Sequence, residues 1–337
     1  MFKESRTLVT AIVITRDGYV WNLPEVVSKI ELAKFQNEDL ILDLNNEGPD
    51  FETLDLTRYI GNWDHRTIVI TRNAVQPSVK AITFKNRYPH WIDTIKNSLK
   101  EVIVEKNIHK TVGVFVGRSN EHRLYLSSYI YNNCSAHQTF RYEPQLDVHK
   151  NNLGLEKLIE NYGLTNLVSI ADFLSKSPLT VNDDPDVNTL IKKICGPSES
   201  ESEAITVYGL HKEYKHFFVE LVCETYYSGR TFFPTEKTWR PIMLLTPFIV
   251  QGPQWFLHRL RDMGFQTFDR WWDEGYSEDP ADHQPHEIIK VIDYLAHKST
   301  KELNTMYEEM QPILQHNKKR FMELTSKDFE IFENDRY

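Results

Sequence analysis

Cysteine is scarce in this 337-residue chain: Cys134, Cys195 and Cys223 are odd in number and far apart. No CxxC pair exists, so neither a disulfide framework nor a cysteine zinc site is supported, and a reducing compartment fits. Long apolar runs are also missing. No stretch approaches the length needed to span a bilayer. The opening "MFKESRTLVTAIVITRDG" holds only a short apolar segment interrupted by threonines. It reads as a first strand rather than a signal peptide or an anchor. The expectation is a soluble, cytoplasmic protein with no membrane anchor. Positive charge is not in excess: the net charge is −9 with histidine neutral. That argues against a surface built throughout for nucleic acid, and leaves room for a local basic cleft. There is no GxxxxGK[ST] phosphate loop and no GxSxG nucleophile elbow.

Metal-site spacing is absent as well. Asp273, Glu274, Asp279, Asp282 and His283 cluster within "FDRWWDEGYSEDPADHQPHE" (Phe268–Glu287), yet their spacing matches no standard site. The segment reads as a loop whose Trp271 and Trp272 pack on the protein while its acids face water. "NDDPD" (Asn182–Asp186) does not follow a strand and reads as a solvated turn. No resident metal or cofactor is expected.

What is present is globular composition, 40% hydrophobic and 26% charged, in a chain long enough for two domains. Short β-branched runs alternate with helical patterns. "LVTAIVI" (Leu8–Ile14), "DLILDL" (Asp39–Leu44) and "TIVIT" (Thr67–Thr71) read as strands; "EVVSKIELAKF" (Glu25–Phe35) and "HWIDTIKNSL" (His90–Leu99) read as helices. This rhythm predicts a parallel sheet covered by helices. It restarts with strand "TVGVFVG" (Thr111–Gly117) and helix "SNEHRLYLSSYIY" (Ser119–Tyr131). A further helix over Asn151–Gly163 and a strand "HFFVELVCE" (His216–Glu224) follow. The tail, Lys298–Leu324, is mostly helical, with Pro312 marking a kink or break. The fold class is therefore α/β: two Rossmann-like domains, 1–108 and 109–297, facing a cleft, and a helical tail, 298–337, packing back on the first. In open α/β sheets ligands collect at the carboxyl ends of the strands.

One segment gathers its charges at the head of a helix. In "TFFPTEKTWRPIMLLTPFIVQG" (Thr231–Gly252), Thr235 is placed to cap a helix beginning at Glu236. Helix N-termini carry unpaired N–H groups and partial positive charge, which favour phosphate. Lys237 and Arg240 add charge-assisted donors for a diphosphate. Glu236 suits the hydroxyls of a ribose. Together these needs describe a nucleoside diphosphate-sugar.

The stretch "FVELVCETYYSGRTFFPTEKTWRPIMLLTPFIVQGP" resembles the donor-binding signature of the α1,3-fucosyltransferase family. Glu224 matches the glutamate ending that family's strand; Thr235, Glu236 and Lys237 match its Thr-Glu-Lys; Trp239 and Arg240 match its Trp-Arg. Thr225 departs, since the family has asparagine there. Upstream, in "VFVGRSNEHRLYL" (Val114–Leu126), Ser119, Asn120 and Arg123 resemble the family's Ser-Asn and diphosphate arginine. The resemblance covers roughly residues 110–275 and is not specific for fucose. It implies that Glu236 holds the ribose and Lys237 a phosphate; a GT-B arrangement is expected, and with no well-placed Asp-x-Asp and with Arg123, Lys237 and Arg240 near the diphosphate, no divalent metal is expected.

An inverting transferase needs a general base on the acceptor side. In "LDLNNEGPDFETL" (Leu42–Leu54) Glu47 is the first candidate, and Asp43 and Asp50 compete. The expected function is transfer of a sugar to a hydroxyl acceptor, a glycan or a hydroxylated base in DNA. For the latter, "KAITFKNRYPHW" offers Lys80, Lys85 and Arg87 among aromatics. The alternative is a nucleotide- or nucleic-acid-binding protein of the same fold without transfer chemistry.

Overall fold

The computed structural model describes residues 6–10, 12–15, 18–21, 28, 30–32, 35–36, 39–43, 67–71, 73–76, 82–86, 88–89, 91–116, 121–140, 162–177, 179, 211–227, 231–330 and 332–333. Two four-stranded sheets organise them, and each is parallel throughout. The protein is thus an α/β protein built on parallel sheets.

The first sheet contains β1 (Arg6–Thr10), β4 (Asp39–Asp43), β5 (Thr67–Thr71) and β7 (Ile82–Asn86), in the order β1-β4-β5-β7. The run read as one strand over Leu8–Ile14 is two. β2 (Ile12–Thr15) leaves the sheet and pairs antiparallel with β3 (Gly18–Trp21). Both pieces are β-branched and apolar, so composition alone gives no sign of the break; the partner strand decides it. β6 (Val75–Gln76) follows β5 closely. Helix α1 (Trp91–Leu99) comes next and buries Ile92, Ile95 and Leu99. These fall at helical spacing on one face.

The second sheet has the order β11-β10-β8-β9, from β8 (Lys110–Val116), β9 (Ala136–Phe140), β10 (Phe217–Cys223) and β11 (Phe248–Gln251). Every residue of β10 is buried. An unbroken apolar run with one acid, "FFVELVC", is what a central parallel strand covered on both faces requires. At Gly113 on β8, a Cβ would lie 2.5 Å from the Phe217 ring. Only glycine lets that ring cross the strand.

Helices cover both faces of this sheet. On one side lie α2 (Glu121–Asn133), α3 (Leu164–Lys176), which packs on α2, and α6 (Gln284–Ala296). On the other lie α4 (Glu236–Met243) and α7 (Thr300–Glu323); α5 (Phe256–Asp262) follows β11. Trp239 on α4 is fully buried and stacks near Phe321 of α7 and Phe265, at 5.1 and 5.4 Å between ring centroids. Helix α1 also packs on α4.

The carboxyl-terminal region departs from expectation in one place, the segment 268–287. Helix α7 starts with a Ser299–Glu302 capping box and runs unbroken through Pro312. It lies on α4 and the second sheet. It also touches the first unit, where Lys318 donates to the Val102 carbonyl at 3.5 Å and Lys106 lies over the Tyr307 ring, and the contact continues beyond the helix. Lys96 donates to the Leu324 carbonyl at 2.7 Å, Tyr88 meets Phe329 edge-on, and β12 (Phe332–Glu333) pairs parallel with β6. The segment read as a loop with water-facing acids includes a 3-10 turn, Gly275–Glu278, and the start of α6. Asp273 is exposed, but Glu274 is buried. Its carboxylate accepts from Arg261 at 2.5 Å and from the Phe268 N–H at 2.7 Å. Burial pushes its pKa up, against the pull of Thr267, Phe268 and Arg261. A buried carboxylate needs such partners, and the string of acids gave no hint of which one had them.

Candidate functional site

The carboxyl end of β10 gathers most of the described residues singled out from the sequence. Glu224 follows the strand directly and is 1% exposed. Its carboxylate accepts from the Thr235 N–H at 3.0 Å, the Thr235 hydroxyl at 2.5 Å, the Thr238 hydroxyl at 2.5 Å and the Thr225 N–H at 3.3 Å. A carboxylate at a helix N-terminus also complements its dipole. Glu224 therefore fixes where α4 begins. Thr235 caps the helix in extended backbone, and its hydroxyl accepts from the Lys237 N–H at 3.4 Å.

Lys237 and Glu236 form the rim of this arrangement. Their side chains are 22% and 18% exposed and lie 2.9 Å apart. The Lys237 ammonium also donates to the Thr225 and Thr235 hydroxyls at 3.2 and 3.1 Å. Burial raises the Glu236 carboxyl, but Lys237, Arg240 and a backbone N–H outweigh it, and the group sits below its ordinary range. The result is an ammonium held at the first turn of a helix, beside a carboxylate that stays ionised.

Arg123, on α2, is buried and donates to the carbonyls of Cys223 at 3.1 Å and Glu224 at 2.7 Å. It thus joins α2 to the end of β10. Next to it, rings accumulate. His122 lies 4.2 Å from Tyr227 between centroids, its Nδ1 is 2.6 Å from the Tyr162 hydroxyl, and Tyr162 stacks on Tyr125 at 3.9 Å.

Arg240 is a correction. Reading it beside Lys237 as a phosphate donor places it on the wrong side of the helix. It is 2% exposed, and its guanidinium meets Glu220 of β10 at 2.5 Å and also the Tyr214 hydroxyl, which in turn donates to Glu220. Burial pushes the Glu220 carboxyl above its ordinary range even so. Lys106 adjoins this cluster and donates to the carbonyls of Tyr214 and Phe217 and to the Thr246 hydroxyl, at 2.7, 3.1 and 2.8 Å. Burial lowers its pKa to about 7, against the pull of Glu220. The signal was in the sequence: an acid inside a fully buried parallel strand demands a buried cation.

Ser119, Asn120, Glu47 and Asp50 lie outside the described residues, as do Lys80 and Arg87. Asp43 ends β4, paired with Ile70 of β5. Sequence reasoning missed Gln251, which ends β11 beside Cys223. Its side chain is fully buried, and its amide has no hydrogen-bond partner among the described residues. An orphaned amide at the carboxyl end of a sheet needs an explanation, and a lone glutamine in a strand gave no warning of it.

Among the described residues no group of three acids, histidines or cysteines is placed to hold a metal ion. No helix among them is long and apolar enough to cross a membrane. No family model matches the chain, and no curated protein or solved structure matches it.

Proposed function

We propose that this protein is a glycosyltransferase of GT-B architecture that takes a sugar from a nucleoside diphosphate-sugar and passes it, with inversion, to a hydroxyl acceptor. The observation that carries this reading is the Lys237 ammonium, partly exposed at the first turn of α4, at the carboxyl end of a parallel strand. An ammonium in the positive field of a helix N-terminus suits a diphosphate. Glu236, ionised beside it, suits a ribose diol. Tyr227, half-buried and packed against the buried His122, offers a ring to a nucleobase. Glu224, Thr235 and Arg123 set the position of these groups. Arg240 holds the helix from beneath.

In the reaction, a base takes the proton of the acceptor hydroxyl. Its oxygen then bonds to the anomeric carbon as the bond from that carbon to the diphosphate oxygen breaks. Lys237 and the helix N-terminus stabilise the departing charge without a divalent metal. Glu47, Asp43 and Asp50 are the base candidates, and the acceptor is a glycan or a hydroxylated base in DNA. Of Glu47→Gln, Asp43→Asn and Asp50→Asn, the one that removes the base lowers turnover by about 10²–10⁴ while sparing donor affinity.

The test is a thermal-shift panel of nucleoside diphosphates and their sugars. At a hundred times its dissociation constant a true ligand adds about 2.7 kcal/mol of stability. A panel in which nothing shifts the transition ends the proposal. A second reading, a nucleotide-binding protein without transfer chemistry, is favoured by the internal commitments of Arg123 and Arg240. Slow hydrolysis of a bound nucleotide-sugar separates the two, because a pure binder shows none.

A further inference from the structure

Just beyond the carboxyl end of β5, a short segment of the first unit grips the loop that leads into α4. The Asn73 side-chain oxygen accepts from the Phe232 N–H at 2.8 Å, and the Ala74 N–H donates to the Phe232 carbonyl at 3.0 Å. Both backbone groups of Phe232 are thus bonded to the first unit, one by a backbone amide and one by a side chain that imitates a backbone carbonyl. The Asn73 N–H donates to the Thr71 hydroxyl at 3.1 Å, which anchors the grip to the last residue of β5. Asn73 is fully buried, and Ala74 and Phe232 are each 1% exposed, so water does not compete for these bonds.

Phe232 leads through Phe233 and Pro234 to the helix cap Thr235, which Glu224 holds from the other side. The Phe232 ring packs near Phe256, 5.2 Å between centroids. The segment carrying the Lys237 turn is therefore fixed between two supports. One belongs to the second sheet and the other to the first. On the first sheet, β5 is the direct neighbour of β4, whose last residue is Asp43.

We propose that Asn73 is a positioning residue that couples the end of the first sheet to the start of α4. Occupation of the Lys237 turn and the geometry of the β4–β5 edge then change together. This rests on the donor reading above. Its chemical motive is that transfer needs donor and acceptor atoms aligned within about 3–3.5 Å, although they are held by different sheets. A loop tied to both sheets by dry hydrogen bonds sets that alignment, where a loop tied to one would let it drift.

Amide hydrogen exchange of the whole chain tests this, with the diphosphates of adenosine, guanosine, cytidine, uridine and thymidine as separate probes. In the wild type, a diphosphate that binds should slow exchange at Phe232 and Ala74 by about 5- to 150-fold, the usual range of coupling between sites. Asn73→Leu should speed exchange at Phe232 about tenfold without ligand, the worth of one hydrogen bond. It should bind the diphosphate with little change yet lose the transmitted protection at Ala74. Asn73→Asp keeps an acceptor oxygen and should retain that protection. If a diphosphate binds the wild type and leaves Ala74 unaffected, the coupling is wrong and the donor reading stands. The coupling is equally wrong if Asn73→Leu transmits protection as the wild type does, or if Asn73→Asp loses it. If none of the five binds the wild type, the donor reading fails and takes the coupling with it.

Discussion

Helix α4 takes part in two charge pairs, one within its first turn and one reaching across to β10, and they do opposite work. Arg240 and Glu220 meet in the interior, 3% and 1% exposed. Lys237 and Glu236 meet at the rim, 22% and 18% exposed. The interior pair has a third member, Tyr214, bonded to both, and so its geometry is over-determined. The rim pair is held by threonine hydroxyls and keeps a face toward solvent. The interior pair therefore positions the helix, and the rim pair is the one that a ligand can recruit. Spacing along the sequence treats the three charges of α4 alike. Burial divides them.

The largest expected effect comes from breaking the interior pair. Arg240→Ala leaves Glu220 buried without its guanidinium partner, which costs about 3–5 kcal/mol. Urea unfolding measures it. Changing both partners to apolar residues of similar volume, Arg240→Met with Glu220→Leu, should recover most of the loss. An Arg240→Ala protein of unchanged stability and weakened diphosphate binding would reverse the comparison and return Arg240 to the ligand.

The rim pair should behave the other way. Lys237→Ala is expected to weaken diphosphate binding by about 1.5–3 kcal/mol, the worth of hydrogen bonds to a charged group. Its effect on unfolding should stay within about 1 kcal/mol, as for a partly solvated pair. Calorimetry and urea unfolding on one preparation make the contrast visible. Unchanged affinity would remove Lys237 from the site.

Acidity sharpens the same division. Lys106 has its folded-state pKa lowered to about 7 by burial beside the interior cluster. Between that value and the ordinary lysine range the unfolded chain binds more protons than the folded one. Stability from this group therefore rises with pH across that window, by at most about 1.4 kcal/mol per pH unit. Below about pH 7 the full penalty of the buried charge is present. Lys106→Met should flatten the slope, which unfolding at a series of pH values detects. Glu236 acts with the same sign in a more acid window. Its lowered pKa gives stability that is present above the ordinary carboxylate range and is lost as pH falls through the folded value.

The smallest effect is expected at the cap. Thr235→Ala removes the hydroxyl that serves Lys237 and Glu224 and should cost about 0.5–2 kcal/mol. Thr235→Ser keeps the hydroxyl and should cost less. Equal losses in the two would mean that the methyl group, not the cap, matters.

Much of the frame was legible in the chain. Runs such as "TIVIT" and "FFVELVC" are β-branched or aromatic, short and apolar, and a parallel strand between helices needs little else. The start of α4 was legible too, because a threonine before Glu-Lys is a local signal. Helix α4 begins where the pattern puts it. The break between Thr10 and Ile12 was not legible, since both halves favour extended backbone and only the partner strand differs.

The sequence by itself determined the strand and helix rhythm, the cap at Thr235 and the gathering of Glu224, Glu236 and Lys237 at one strand end. Those features depend on residues near one another along the chain, or on a strand and the helix that follows it. Only the tertiary structure decided that Arg240 turns inward to Glu220, that Glu224 spends its carboxylate on Thr235 and Thr238, that Gln251 is buried with no partner among the described residues, and that Asn73 holds Phe232 from the other sheet. Each of these is decided by how the elements pack on one another. A buried polar group takes whichever complementary group the packing brings within reach, and local pattern carries no record of that.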